Sequence, residues 1–137
     1  MIRMVIPIIP AAQMRARAAV RNGHAIAYKA AKQRHAEDSL IALMRQYRPV
    51  EPISGPVMLL VTAYMPIPQS WSKKRRLEAV EGTVYHDKRP DVDNLLKQVA
   101  DCMTQLSFWN DDTQVAEVTA KKVYSVNPGW EIILEAL

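Results

Sequence analysis

The chain has 137 residues, 49% of them apolar and 23% charged, which is ordinary globular composition and suits one compact domain with a real core. A lone cysteine, Cys102, excludes an intrachain disulfide and a cysteine-rich zinc site. The net charge is +4, and no run approaches eighteen apolar residues. The opening MIRMVIPIIPAAQM is short and broken by proline, so the chain reads as soluble, intracellular and cytoplasmic, without a membrane segment.

MVIPIIP (4–10) predicts a short strand ended by proline. The next stretch, AAQMRARAAVRNGHAIAY, has no sustained period. It carries Arg15, Arg17 and Arg21, an Asn22-Gly23 turn signal and no acid, so it reads as a solvated loop or a phosphate-contacting arm. From Lys29 to Tyr47 a helical pattern puts Ala36, Leu40, Leu43, Met44 and Tyr47 on one face, until Pro49 and Pro52 break it.

Gly55 to Tyr64 is apolar on both faces, which predicts a central strand. SWSKKRRLEAVEG predicts a short helix with Ser70 as N-cap, four consecutive cations from Lys73 to Arg76, and Gly82 as its stop. In the helix from Asp91 to Leu106, the residues Val92, Leu95, Leu96, Val99, Met103 and Leu106 form an amphipathic stripe. QVAEVTAKKVYSV and WEIILEAL read as two strands joined by VNPG, and so as an antiparallel hairpin. The order is β-α-β-α-α-β-β, an α+β fold: a single-domain, two-layer α/β sandwich over residues 1–137, with a mixed sheet and a C-terminal antiparallel hairpin.

The charge is not evenly spread. Residues 1–50 balance at +7, residues 51–89 at +2 and residues 90–137 at −5. Basic regions around an acidic centre suit a polyanion held near bound metal, although solvated charge asymmetry is common.

Within RPDVDNLLK, Asp91 and Asp93 are explained as a helix cap and a dipole-complementing acid, worth about 0.3–1 kcal/mol each. Lys97, four residues after Asp93, forms an i,i+4 salt bridge on the same reading. The alternative is a site, with Asp111 and Asp112 of NDDTQV as its other side. A helix of roughly 16 residues spans about 24 Å, so the two pairs meet only if the chain returns. The residues alone leave that open. Converging carboxylates repel, and a cation relieves them. Magnesium, a hard ion for carboxylate, water and phosphate oxygens, is the natural one. An EF-hand fails because Leu95 replaces the third ligand. His24, His35 and His86 lack zinc-ligand spacing, and His86 is the one histidine near the acids.

RPDVDNLLK, Asp101, FWNDDTQV and Lys122 together resemble the RusA family of Holliday junction resolvases, most clearly over residues 64–137. SWSKKRRLEAVEG is similar to the phage and prophage branch. The departure is mild: Cys102 and Met103 stand where members often carry Ala-Leu. The resemblance implies a homodimeric, Mg²⁺-dependent endonuclease (Mn²⁺ able to substitute) that cuts four-way DNA junctions in recombination and repair. It implies Asp91, Asp93 and Asp112 as catalytic acids and metal ligands, Lys97 as the catalytic lysine, Asp111 as a lesser candidate ligand and Asp101 as structural or interface-forming. Arg15, Arg17, Arg21, Lys73, Lys74, Arg75, Arg76, Lys88, Arg89 and Lys122 are the expected DNA contacts. A nuclease for forks or flaps and a non-catalytic DNA-binding dimer are the alternatives.

Overall fold

The computed structural model describes residues 1–11, 17–21, 24–28 and 31–137, with side chains described for 1–11 and 35–137. Nine named elements follow in chain order. They are β1 (Ile2–Ile6), β2 (Arg17–Arg21), β3 (His24–Tyr28), α1 (Ala31–Met44), β4 (Val57–Pro66), α2 (Lys73–Glu81), α3 (Val92–Gln105), β5 (Val115–Ser125) and β6 (Gly129–Ala136). Short 3₁₀ turns extend α1 at Arg45–Tyr47 and precede β5 at Asp112–Gln114. The seven expected elements are all present, and the fold is α+β with a mixed sheet.

Four strands make that sheet in the order β1-β6-β4-β5. β4 is central, as its two apolar faces require, antiparallel to β6 and parallel to β5. The alternating buried residues lie on one face: Met4 and Ile6, Leu59, Val61 and Ala63, and Trp130, Ile132 and Leu134. α1 and α3 pack side by side over that face. α1 meets β1 and α3 meets β5, with Leu40 and Met44 from α1 joining Leu95, Val99 and Met103 from α3 in one core. The expected stripe on α3 is therefore its buried face, except that Val92 at the helix entrance is 38% exposed and Leu96 is half-buried.

Four expectations need correction. β5 and β6 do not form a hairpin: β4 lies between them. Two strand spacings total about 9.6 Å, which the three residues 126–128 span when extended, so the short link steps across the end of β4. Packing explains the preference. β4 gains a neighbour on each edge, while the exposed Glu117, Thr119 and Lys121 suit β5 to the sheet margin.

The second correction lies in the basic N-terminal stretch, where β2 and β3 pair antiparallel. Their register, Arg21 opposite His24, leaves two residues between them, the Asn-Gly dipeptide favoured in tight hairpins. Four of the ten residues in RAAVR and HAIAY are alanine, so their alternation is weak. The third is smaller: Ser72, not Ser70, caps α2, its Oγ accepting from the Arg75 backbone N–H at 3.2 Å. β1 also starts two residues earlier than the proline-bounded run suggested, and ends before Pro7. Among the described residues no helix is long and apolar enough to cross a membrane.

Candidate active site

α3 begins at Asp91, which has extended φ/ψ and makes no side-chain capping bond, so its carboxylate is not committed to the helix. Asp93 lies in the first turn, where the dipole favours negative charge. Lys97 follows one turn later and Asp101 another turn on. The ion pair that forms is Lys97 with Asp101, at 3.5 Å, rather than the expected pair with Asp93.

The second acidic pair arrives beside the same helix, further along. Only residues 106–114 join α3 to β5, so the strand starts towards the C-terminal end of α3. There Asp112 comes under the influence of Asp101 and Lys97. A hydrogen bond with the Asp111 carboxyl, slight desolvation, and the negative charges of Asp111 and Asp101 push the exposed Asp112 above the usual carboxylate range, while Lys97 pulls it back. From Asp93 to Asp101 the helix rises about 12 Å. The acids thus line α3 instead of meeting at its first turn. Among the described residues no three histidines, cysteines or carboxylates stand together as a ready metal cage.

Gln114 fixes where Asp111 and Asp112 sit. Its Nε2 donates to the carbonyls of Ile53 and Gly55, both at 2.8 Å. Its Oε1 accepts from the backbone N–H of Asn110 at 2.8 Å and of Asp111 at 3.1 Å. One amide thereby ties the acidic loop to the segment before β4. The buried Phe108 and Trp109 anchor the other side: the Ile53 N–H donates to the Phe108 carbonyl at 2.9 Å, and Trp109 Nε1 donates to Thr104 Oγ1 at 2.8 Å. Sequence reasoning passed over Gln114. The signal was an amide, able to donate and accept at once, two residues after an acidic pair.

Lys122 differs from its expected role. Its Nζ donates to the carbonyls of Lys88 at 2.7 Å and Pro90 at 2.9 Å, on either side of Arg89. The remaining basic residues are disposed as follows. Lys73 and Lys74 are exposed in the first turn of α2. Arg75 stacks on Trp71, 4.1 Å from the ring centre, and Arg76 donates to the Pro68 carbonyl at 3.0 Å. Lys88 and Arg89 are exposed, Lys88 standing 3.8 Å from Asp87. Arg15 lies outside the described residues; Arg17 and Arg21 are on β2, and their side chains lie outside them too.

An aromatic group joins these regions. Trp71 meets Tyr124 edge-on, with ring centres 5.1 Å apart, and His86 lies 4.9 Å from Tyr124 on a tilt. Burial and the Lys122 charge lower the His86 pKa, against its own backbone hydrogen bond and Asp87, and its buried Nδ1 has no hydrogen-bond partner.

Carboxylates and an ammonium along one helix, bordered by exposed cations, are the equipment of an enzyme that cleaves phosphodiesters. Comparison with known proteins agrees. Residues 7–135 match the family model for endodeoxyribonuclease RusA. The chain is 35% identical over 127 residues to the uncharacterized protein YqaN of Bacillus subtilis (strain 168), covering 91% of this chain and 89% of that one. It is also 40% identical over 68 residues to the crossover junction endodeoxyribonuclease RusA of Lactococcus phage r1t, covering 50% of this chain and 45% of the phage protein. The chain belongs to the RusA endodeoxyribonuclease family, and its enzymatic class is that of an endonuclease acting on DNA.

Proposed function

We propose that this chain, as one domain over residues 1–137, is a structure-specific endonuclease that resolves four-way DNA junctions in recombination and repair. It does so in the cytoplasm as a homodimer, by paired symmetric hydrolysis. The observation that carries the reading is the approach of Asp112 to Lys97 and Asp101 on α3. A DNA-binding module gains nothing from clustered negative charge beside phosphates, whereas a hydrolase needs it to hold a cation.

The donor set fits Mg²⁺, with Mn²⁺ able to take its place. The candidate ligands Asp91, Asp93 and Asp112 are exposed carboxylates, hard oxygen donors. The upward shift of Asp112 marks negative charge that a cation relieves. Asp91, Asp93 and Asp112 are the proposed ligands, with Asp111 as a further one; spread along α3 as they stand, they would have to draw together around the ion. A bound ion would supply an activated water and offset charge on the leaving 3′-oxygen. The protein's own part is positional. Lys97 faces the phosphate oxygens on which charge develops, and Gln114 holds the loop that carries Asp111 and Asp112.

The cations bind backbone. Lys73 to Arg76 crowd the first turn of α2, where the dipole already favours an anion and no acid is present. A phosphate relieves that crowding. With Lys88, Arg89 and the arginines of the N-terminal stretch they track the DNA arms without reading sequence. A two-fold dimer presents two sites to a junction of approximate two-fold symmetry.

The test is Asp93→Asn. Turnover on a four-way junction falls by at least about 10³-fold, while binding is kept or tightened because repulsion from phosphate is removed. Loss of junction binding with metal affinity intact overturns the assignment.

A further inference from the structure

Lys122 was expected to contact DNA, but its ammonium points into the protein. The parallel register sets Ala120, Lys122 and Tyr124 of β5 beside Val61, Ala63 and Met65 of β4, on the face that the helices cover. From there Lys122 Nζ reaches the carbonyls of Lys88 and Pro90, at 2.7 and 2.9 Å. Two of its three N–H groups are used on residues 88–90, directly before Asp91. These are charge-assisted bonds, about twice as strong as neutral ones.

The start of α3 has need of such a strut. Asp91 makes no capping hydrogen bond, so the helix entrance is not fastened by the residue at its N-cap. Val92, next in the chain, is 38% exposed. The first residue firmly in the core is Leu95, 1% exposed. Between the exposed Arg89 and Leu95, the Pro90 carbonyl is the described point at which a side chain from the sheet takes hold.

We propose that Lys122 is a positioning residue, holding the 88–90 turn to β5 so that Asp91 and Asp93 keep their place while their carboxylates stay free for metal. Its role in catalysis rests on the function proposed above; its role in fixing the turn does not.

The test compares wild type with Lys122→Met, which keeps the length but cannot donate, and Lys122→Gln, which donates without charge. Backbone hydrogen exchange over residues 86–95 is measured alongside residues 57–65 of β4, which report on global unfolding. Binding of a four-way junction is measured in EDTA over a range of salt, and turnover at saturating junction is measured across a Mg²⁺ titration. We expect Lys122→Met to speed exchange in 86–95 by about tenfold or more with 57–65 unchanged. Turnover falls by about 10- to 100-fold and half-saturation moves to higher Mg²⁺, while junction affinity and its salt slope stay put. Lys122→Gln recovers part of the loss. Unchanged exchange in 86–95 overturns the proposal. So does weaker junction binding with the salt slope reduced by about one at full turnover, which is the signature of a phosphate contact. If wild type cuts no junction, the function fails, and the exchange measurement still decides whether Lys122 fixes the turn.

Discussion

Replacing Gln114 with methionine keeps the side chain's length and removes all its hydrogen bonding. Four bonds are lost: two donated to Ile53 and Gly55, and two accepted from Asn110 and Asp111. A neutral hydrogen bond contributes about 1 kcal/mol net, so full loss costs about 4 kcal/mol. Three of the four lie at the surface, where water substitutes for the lost partner, and the Ile53 carbonyl is partly buried. The expected cost is therefore about 1–2 kcal/mol. With a urea slope of about 2 kcal/mol/M, the midpoint drops by about 0.5–1 M. Turnover falls further than stability explains, by about tenfold or more under conditions where the protein stays folded, because the Asp111–Asp112 loop loses its tie to the segment before β4. Urea unfolding followed by fluorescence gives the first number, and single-turnover cleavage of a junction gives the second. A midpoint within about 0.2 M of wild type, or full turnover in the folded variant, refutes the clamp.

Other predictions separate structural from catalytic roles. Lys97→Ala removes an ion pair whose side chains are 66% and 41% exposed, so unfolding should move by less than about 0.5 kcal/mol. Turnover should fall by about 100-fold with junction affinity retained, and unchanged turnover returns Lys97 to a surface salt bridge. Gly129→Ala puts a Cβ 2.7 Å from the Ile6 carbonyl oxygen, forcing β6 away from β1. It should cost about 1–3 kcal/mol and several degrees in Tm, and wild-type Tm would show that the strands relax freely. His86 has a pKa below 6.5 in the fold, from burial and the Lys122 charge. The unfolded chain therefore takes up a proton first as pH falls. The stability from its neutral form is present above 6.5 and is lost below it, towards the lower folded pKa. His86→Gln should flatten the fall in Tm between about pH 7.5 and pH 5.5, and parallel curves would contradict the burial of the imidazole.

Local pattern and long-range packing account for what the sequence disclosed and what it hid. α3 was legible because Leu95, Val99, Met103 and Leu106 repeat at helical spacing, and all are buried. β4 declared itself central through its continuous apolar run. The pairing of β5 was not legible. Residues 126–128 serve a hairpin and a step across β4 equally well, and strand order is decided by which neighbours bury β4 best. Where Asp112 arrives is set by the short link 106–111 that leaves the end of α3. The positions of Asp91, Asp93 and Lys97 on one helix were readable from spacing, but the Lys97–Asp101 pairing was not, because a lysine has acids four residues away on both sides. Lys122 carried a usable signal: it alternates with Ala120 and Tyr124, and Tyr124 is buried, so the strand period turns Lys122 inward. The alanine-rich β2–β3 pair offered little beyond Asn22-Gly23.

The central claim is cleavage that depends on both junction structure and metal. It is tested most directly by incubating the protein with a mobile four-way junction, a fork and a linear duplex, with and without Mg²⁺, and mapping the products strand by strand. Paired nicks at symmetric positions on opposing strands of the junction, dependent on Mg²⁺, with the duplex intact, are the predicted result. A junction left uncut by Mg²⁺ and Mn²⁺ alike, or a duplex cut as readily as the junction, would contradict it.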